Sequence, residues 1–212
     1  MTRPTTALTK ARIIDAAMAL ADVDGVDGLS MRKLGQELGV EAMSLYNHVA
    51  NKSELLDELV ERVASEYVLP MAGPNWKHEL RATAIGAHGV LVTHPWAAAL
   101  TFSRSKVGVA RLGFAEAVLG CFRTAGFSAQ LAHHALHAYE GHIIGFTLQS
   151  LERFTGEGLG PLITSVARGE LAEQYPWVTD SIANSTHDEE QEFAIVLDLI
   201  LDGLDLLHDA QG

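Results

Sequence analysis

Ser30-Met31-Arg32-Lys33-Leu34-Gly35-Gln36-Glu37-Leu38-Gly39-Val40, followed four residues later by Leu45-Tyr46-Asn47-His48-Val49-Ala50-Asn51-Lys52-Ser53-Glu54-Leu55-Leu56, is the stretch that decides the fold. Ser30 is a helix-capping residue, and Gly39 supplies the left-handed backbone that closes a helix. The spacing predicts a short helix, a tight turn, and a third helix from about Glu41 to His48. Leu34, Leu38, Val40, Leu45 and Val49 are spaced to meet an earlier helix and close a three-helix core. Ala42, Met43, Ser44, Tyr46 and Asn47 are then left on the outward face of the third helix.

Working outward, Thr9 caps a first helix through about Asp22, with Ile13, Ala16, Ala17 and Leu20 on one face. A glycine-rich turn follows at 23–28. Asn51 or Ser53 caps a fourth helix that reaches about Val68. Pro70, Gly73 and Pro74 then break the chain, which divides into a first domain at 1–66 and a second at 75–212. The second domain reads as helices at about 76–93, 95–102, 106–125, 128–153, 161–173 and 189–208. A loop holds Gly156, Gly158, Gly160 and Pro161, and a polar stretch covers 180–188. No period-2 strand stands out, so the predicted fold class is all-α.

The chain has 212 residues and is 48% hydrophobic, enough for one sizeable core or a small module joined to a larger one. A single cysteine, Cys121, excludes a disulfide framework and a Cys-rich zinc site. Residues 1–6 lack the apolar run of a signal peptide, and no apolar run approaches the about 18 residues of a membrane span. The expectation is a cytoplasmic protein. The net charge is −12, but residues 1–52 balance six Lys/Arg against six Asp/Glu. An acidic body behind a neutral head is repelled by DNA except through that head.

A helix of this diameter fits the major groove, with its N-terminal residues at base edges. Tyr46 offers a hydroxyl and a ring. Asn47 can pair with adenine, and Ala42 and Met43 offer apolar contact. Lys52 can reach a phosphate from the start of the fourth helix, and Arg32 and Lys33 sit where the second helix crosses the backbone. The alternative is a three-helix bundle with a solvated polar face. Residues 9–56 resemble the N-terminal domain of the TetR (tetracycline repressor) family of transcription regulators. Ala16-Ala17, the segment from Ser30 to Val40, Leu45 to Val49 and Lys52 to Leu56 carry the resemblance. It implies that Arg32, Ser44, Tyr46 and Lys52 contact DNA and that Ala42, Met43 and Asn47 help read sequence. His48 has two readings, packing at the end of the recognition helix or base contact.

In the last helix, Phe193, Leu197, Ile200, Leu204 and Leu207 step by four and three in a coiled-coil-like seam, with Asp198, Asp202, Asp205 and Asp209 opposite. Val196, Leu199, Leu201 and Leu206 widen the apolar surface. Such a helix is expected to meet both its own domain and a second copy; one wide core face is the alternative. Ala138, Gly141 and Gly145 allow close helix approach, so a four-helix homodimer interface is expected. Two heads about 34 Å apart would read a two-fold symmetric operator.

More loosely, Leu91 to Trp96, Arg123 to Ser128 and Gly145 to Gln149 resemble the tetracycline-repressor-type C-terminal domain. Gln149 and Val68 align where that repressor carries a carboxylate and a histidine, so a tetracycline–magnesium site is not expected. His88, Trp96, Phe102, Arg111, Phe114 and His137 are the candidates for a small-molecule effector cavity; plain core is the alternative for each aromatic. His133, His137 and Glu140 share one helix face, which leaves a metal-responsive repressor as a second reading and a DNA-binding regulator without effector as a third. No phosphate loop, nucleophile elbow or paired metal-ligand motif occurs, so neither an enzyme nor a bound cofactor is expected.

Overall fold

The computed structural model describes residues 7–104, 106–155, 160–170, 172–184 and 188–210. Residues 1–6, and Gly156 and Gly158 of the predicted loop, lie outside the described residues. Among those described, every regular element is a helix.

Capping residues set the head. In α1 (Lys10–Gly28) the Thr9 hydroxyl accepts from the Arg12 N–H. The helix overruns its predicted end at Asp22, and Gly25, at φ 70° and ψ 168°, takes up the break inside it. In α2 (Met31–Leu38) the Ser30 hydroxyl accepts from the Lys33 N–H at 3.2 Å, and Gly39 closes the helix at φ 70°, ψ 30°. α3 (Ala42–Leu45) is shorter than predicted. Tyr46–His48 continue it only as turns, with the His48 N–H on the Leu45 carbonyl at 2.9 Å. In α4 (Lys52–Ala64) the Asn51 side chain accepts from the Glu54 N–H, and Glu54 returns to the Ala50 N–H, a reciprocal cap. α4 stops short of Val68, at the turn where the Ser65 hydroxyl donates to the Arg62 carbonyl.

The body comprises α5 (Trp76–Thr93), α6 (Pro95–Ser103), α7 (Val109–Thr124), α8 (Ala129–Thr155), α9 (Gly160–Ala167), α10 (Pro176–Asn184) and α11 (Glu189–Asp209). α7 starts later than the predicted 106 because Gly108 is extended and a Glu61 carboxylate oxygen from α4 accepts the Ala110 N–H. α10 occupies part of what read as a polar stretch. Asp188 caps α11 through the Gln191 N–H.

One apolar core runs through head and body. Ile13, Ala17, Leu34, Leu45 and Val49 close the head as the spacing predicted, joined by Leu55 of α4, while Ala16, Leu20, Leu38 and Val40 pack against them only partly buried. In the body, α8 packs against α5, α6, α7 and α11. Trp76 meets Phe122 and Phe127 there, with ring centroids 5.6 and 5.1 Å apart. Each fully buried leucine contributes about 1.5–3 kcal/mol.

The register of α11 needs correcting. Phe193, Leu197 and Leu204, expected at the partner contact, are buried in this chain's own core beside Leu201. Ile200 packs partly against the same core. The acidic face turns to α5, where Arg81 donates to Asp198 at 2.7 Å and Lys77 pairs with Asp202 at 3.0 Å and Asp205 at 2.6 Å. The free apolar face is therefore Val196, Leu199, Gly203 and Leu206, stepping by three, four and three, with Ile195 and Leu207 at its margins. Leu199 is 68% exposed and Leu206 72%. Of the predicted seam only Leu207 is exposed. The cause is that α11 carries two apolar faces: the one bearing Phe193, Leu197, Leu201 and Leu204 packs on α5 and α8, and the ion pairs to α5 run along its flank.

Candidate DNA interface and effector cavity

The turn between α2 and α3 is tight. A Cβ on Gly35 would lie 2.9 Å from the Val40 carbonyl and 3.1 Å from the Ala42 nitrogen, so α2 comes directly against the start of α3. This close fit leaves Met43, Tyr46 and Asn47 exposed on one side, with Ala42, Ser44 and His48 half-buried beside them. Leu45 and Val49 point the other way, into the core. Arg32 is exposed at the first turn of α2. Lys33 is tied to Asp24 at 2.5 Å, and the Lys52 ammonium donates to the Val26 carbonyl at 3.2 Å. Both lysines are thus held beside the turn at the end of α1 and keep N–H donors to spare.

Three sets of contacts join head to body. Asp22 Oδ1 accepts from Trp96 Nε1 at 2.7 Å and from His94 Nδ1 at 2.8 Å, and His94 Nε2 lies 3.6 Å from Glu66. Arg104, just after α6, donates to Asp57, to the Ser53 carbonyl at 2.8 Å and to the Ser53 hydroxyl at 2.6 Å. Glu61 caps the start of α7, and a Cβ on Gly108 would collide with its carboxylate. α6 and the segment after it are therefore fastened to α1 and α4 at both ends.

A cavity of about 220 Å³ opens between the end of α4 and helices α5, α6, α7 and α8. Its wall includes Ala64, Tyr67, Ala87, Arg111, Phe114 and Ile144. Thr101, Arg111, Glu140 and Ile144 also border an adjoining cleft of about 550 Å³ that includes Phe102, His137, Gly141 and Leu148. Of the predicted effector residues, Arg111 and Phe114 line the first space, and Phe102, Arg111 and His137 the second. Burial pushes the Glu140 carboxyl upward, while Arg111 and His137 pull it down. Burial likewise raises the Tyr67 hydroxyl, against the pull of Arg111 and with a push from Glu140.

His88 and Trp96, also predicted for the cavity, line neither space. Trp96 is buried where its indole serves Asp22. His88 is buried against Phe193 with ring centroids 4.3 Å apart, and His142 covers Phe193 at 4.6 Å. The Thr147 hydroxyl donates to the Ile143 carbonyl, so it accepts from His88 Nδ1 at 2.8 Å. His142 donates to the Phe193 carbonyl at 3.0 Å. Burial lowers the pKa of both imidazoles; the Phe193 carbonyl opposes this at His142.

Sequence reading missed Tyr67 and Glu140 as cavity residues. For Glu140 a signal existed: it is the one charged residue between Ala129 and Leu151. The rings of His133 and His137 lie 4.6 Å apart on the exposed side of α8, and His137 and Glu140 both border the outer cleft, with Glu140 also lining the cavity. Among the described residues, no three His, Cys, Asp or Glu gather as a metal site. None of the described helices is long and apolar enough to cross a membrane.

Comparison with known proteins agrees with this division of labour. Residues 13–59 match the family described as bacterial regulatory proteins, tetR family, and residues 69–207 match the tetracyclin repressor-like C-terminal domain. A helix-turn-helix transcriptional regulator of Saccharopolyspora erythraea is 40% identical over 65% of this chain and 59% of its own length, so the match spans under two thirds of that relative. The transcriptional repressor DrrR1 of Streptomyces coeruleorubidus is 30% identical over 96% of this chain and 80% of its own. The crystal structure of the Streptomyces coelicolor TetR family protein ActR in complex with actinorhodin superposes with a TM-score of 0.81 at 26% identity, covering 94% of this chain and 97% of that one.

Proposed function

Since the chain belongs to the TetR family of bacterial regulatory proteins, we propose that it is a transcriptional repressor that grips a two-fold symmetric operator as a homodimer and lets go when a small amphipathic molecule fills the cavity beneath α4. The observation that carries this is the single exposed face of Met43, Tyr46 and Asn47, flanked by Arg32 and the two tethered lysines. Residues 1–66 form the DNA head and 75–212 the effector and dimer body. The protein works in the cytoplasm, with DNA. In this reading Arg32 and Lys52 hold phosphates with Lys33, Ser44 and Tyr46. Asn47 reads a base, with Ala42 and Met43 packing beside it. His48 supports the end of the recognition segment.

A second copy covers the free face of α11 and the open side of α8. Gly141 and Gly145 lie on that open side, where a Cβ on either would meet nothing within 4 Å, and they also border the outer cleft, which the second copy would close over. Val196, Leu199 and Leu206 supply the apolar seam, and burial of that seam drives association.

The release mechanism is a population shift. The cavity wall includes Tyr67 at the end of α4 and Val107 in the segment that Arg104 and Glu61 fasten to α4. A molecule that fits only one arrangement of this wall biases the position of α4, and with it the separation of the two heads. ActR was solved with a small molecule, actinorhodin, and that precedent supports a small-molecule effector here. Gln149 and Val68 are exposed and border neither space, which supports an effector other than tetracycline–magnesium.

The test is selection of an operator from a random duplex pool with the full-length protein, followed by fluorescence anisotropy. A palindrome bound specifically and released by a compound that also raises the melting temperature is the expected result. Absence of any sequence preference over bulk DNA would refute it.

A further inference from the structure

We propose that His133 and His137 form a two-imidazole chelate on the exposed side of α8 for a late first-row divalent cation of the copper, nickel and zinc class. The site is separate from the operator face, and it stands whether or not the cavity takes an effector.

The two histidines lie four residues apart on α8, so their side chains rise from neighbouring points of one helix face. Their ring centres are 4.6 Å apart, with the ring planes at 86°. That separation is what a shared ion requires. A ligating imidazole nitrogen sits about 2.0–2.1 Å from the ion and about 1 Å from its own ring centre, so each ring centre lies about 3 Å from the ion. Two nitrogens at about 90–109° around one ion then put the ring centres about 4.5–5 Å apart. The ring of His134 lies 5.9 Å from that of His133, outside this range.

Nothing in the chain competes for the pair. Both rings are exposed, and neither makes a hydrogen bond or an ion pair among the described residues. The buried histidines are committed elsewhere: His88 to Thr147, His94 to Asp22 and His142 to the Phe193 carbonyl. The surroundings also accept a cation. No Lys or Arg occurs between Ala129 and Leu151, and Glu140, one turn beyond His137, is the one charged residue there. Glu140 is near enough to His137 for each to feel the other's charge, and Arg111, which borders the same cleft, is offset by that carboxylate. Glu140 is not a third ligand, since no three His, Cys, Asp or Glu gather among the described residues. A carboxylate close behind a ligating imidazole still favours the bound cation.

The ligand type sets the ion. Imidazole nitrogens suit copper, nickel and zinc, whereas magnesium and calcium take oxygen ligands. With two protein ligands, water holds the remaining positions, and the ion exchanges readily. Affinity should rise from nickel to copper and fall again at zinc.

The test titrates the untagged full-length protein with NiCl2 by calorimetry and with CuCl2 by electron paramagnetic resonance. One nickel per chain is expected, with copper bound more tightly and MgCl2 not bound. The copper spectrum should show two equatorial nitrogens. His133→Ala and His137→Ala should each weaken nickel at least about tenfold, because one imidazole loses the effective concentration of the other. His134→Ala should change nickel binding by less than about twofold, since its ring lies outside chelating distance. Nickel that wild type does not bind, or that His133→Ala or His137→Ala binds as tightly, overturns the site. A loss as large in His134→Ala assigns the ion to other rings and overturns it too. A wild-type copper spectrum with a single nitrogen does the same, whether or not any variant folds.

Discussion

Replacing Asp22 by alanine should loosen the joint between head and body. One oxygen of Asp22 accepts both the Trp96 indole N–H at 2.7 Å and the His94 imidazole N–H at 2.8 Å, and both donors belong to buried side chains. Asp22→Ala strands both. A buried donor left without a partner costs about 1–3 kcal/mol, so the pair brackets roughly 2–6 kcal/mol. The Asp22 side chain keeps 30% of its surface exposed, so water recovers part of that loss. The expected destabilisation is therefore about 2–4 kcal/mol, a fall in melting temperature of roughly 4–16 °C for a chain this size. Asp22→Asn keeps one acceptor oxygen without its charge and should lose about 1 kcal/mol. Urea unfolding followed by tryptophan fluorescence measures both. Stability of Asp22→Ala within about 0.5 kcal/mol of wild type would show that the joint is not held this way.

Further outcomes follow from other parts of the molecule. Gly39→Ala forces a side chain into the left-handed region at the α2 cap, and should cost about 1 kcal/mol of stability with a loss of operator affinity, read by unfolding and anisotropy. His88 and His142 are held neutral by burial, so their folded pKa values lie below the unfolded value. The unfolded chain then binds more protons as pH falls. Stability should be full above about pH 6.5 and decline below it by up to about 1.4 kcal/mol per pH unit for each histidine, a slope that a His88→Gln/His142→Gln double variant should lose. Lys52→Ala should weaken binding to all DNA and lower the salt slope by about one. Asn47→Ala should instead relax preference at one base position by about 1–3 kcal/mol.

The head was legible because its signals are local and chemical. Ser30, Gly39 and Asn51 cap where their side chains or backbone require, and the leucines between them bury as spaced. The shortened α3 was not legible, since nothing in Tyr46-Asn47-His48 opposes a helix until the turn before α4 draws the chain away. In α11 the apolar pattern repeats on two faces, and the choice between them rests on packing against α5 and α8, far away in the chain, with Lys77 and Arg81 pairing along the acidic edge. The cavity was half legible: Arg111 and Phe114 border it, and Phe102 and His137 border the adjoining cleft. His88 and Trp96 found buried partners that only the tertiary fold supplies. Tyr67 escaped because it sits in the turn beyond α4, where no periodicity marks a face.

The central claim, a dimer whose paired heads read one palindrome, is tested most directly by sedimentation velocity on the selected operator, with wild type and a Leu199→Glu/Leu206→Glu variant. Wild type should carry two chains per operator and be dimeric when free. The variant should run as a folded monomer and bind about 100-fold or more weakly, because the second head no longer arrives with the first. A monomeric wild type that fills each half-site independently, or a variant that stays dimeric with unchanged affinity, would contradict the account.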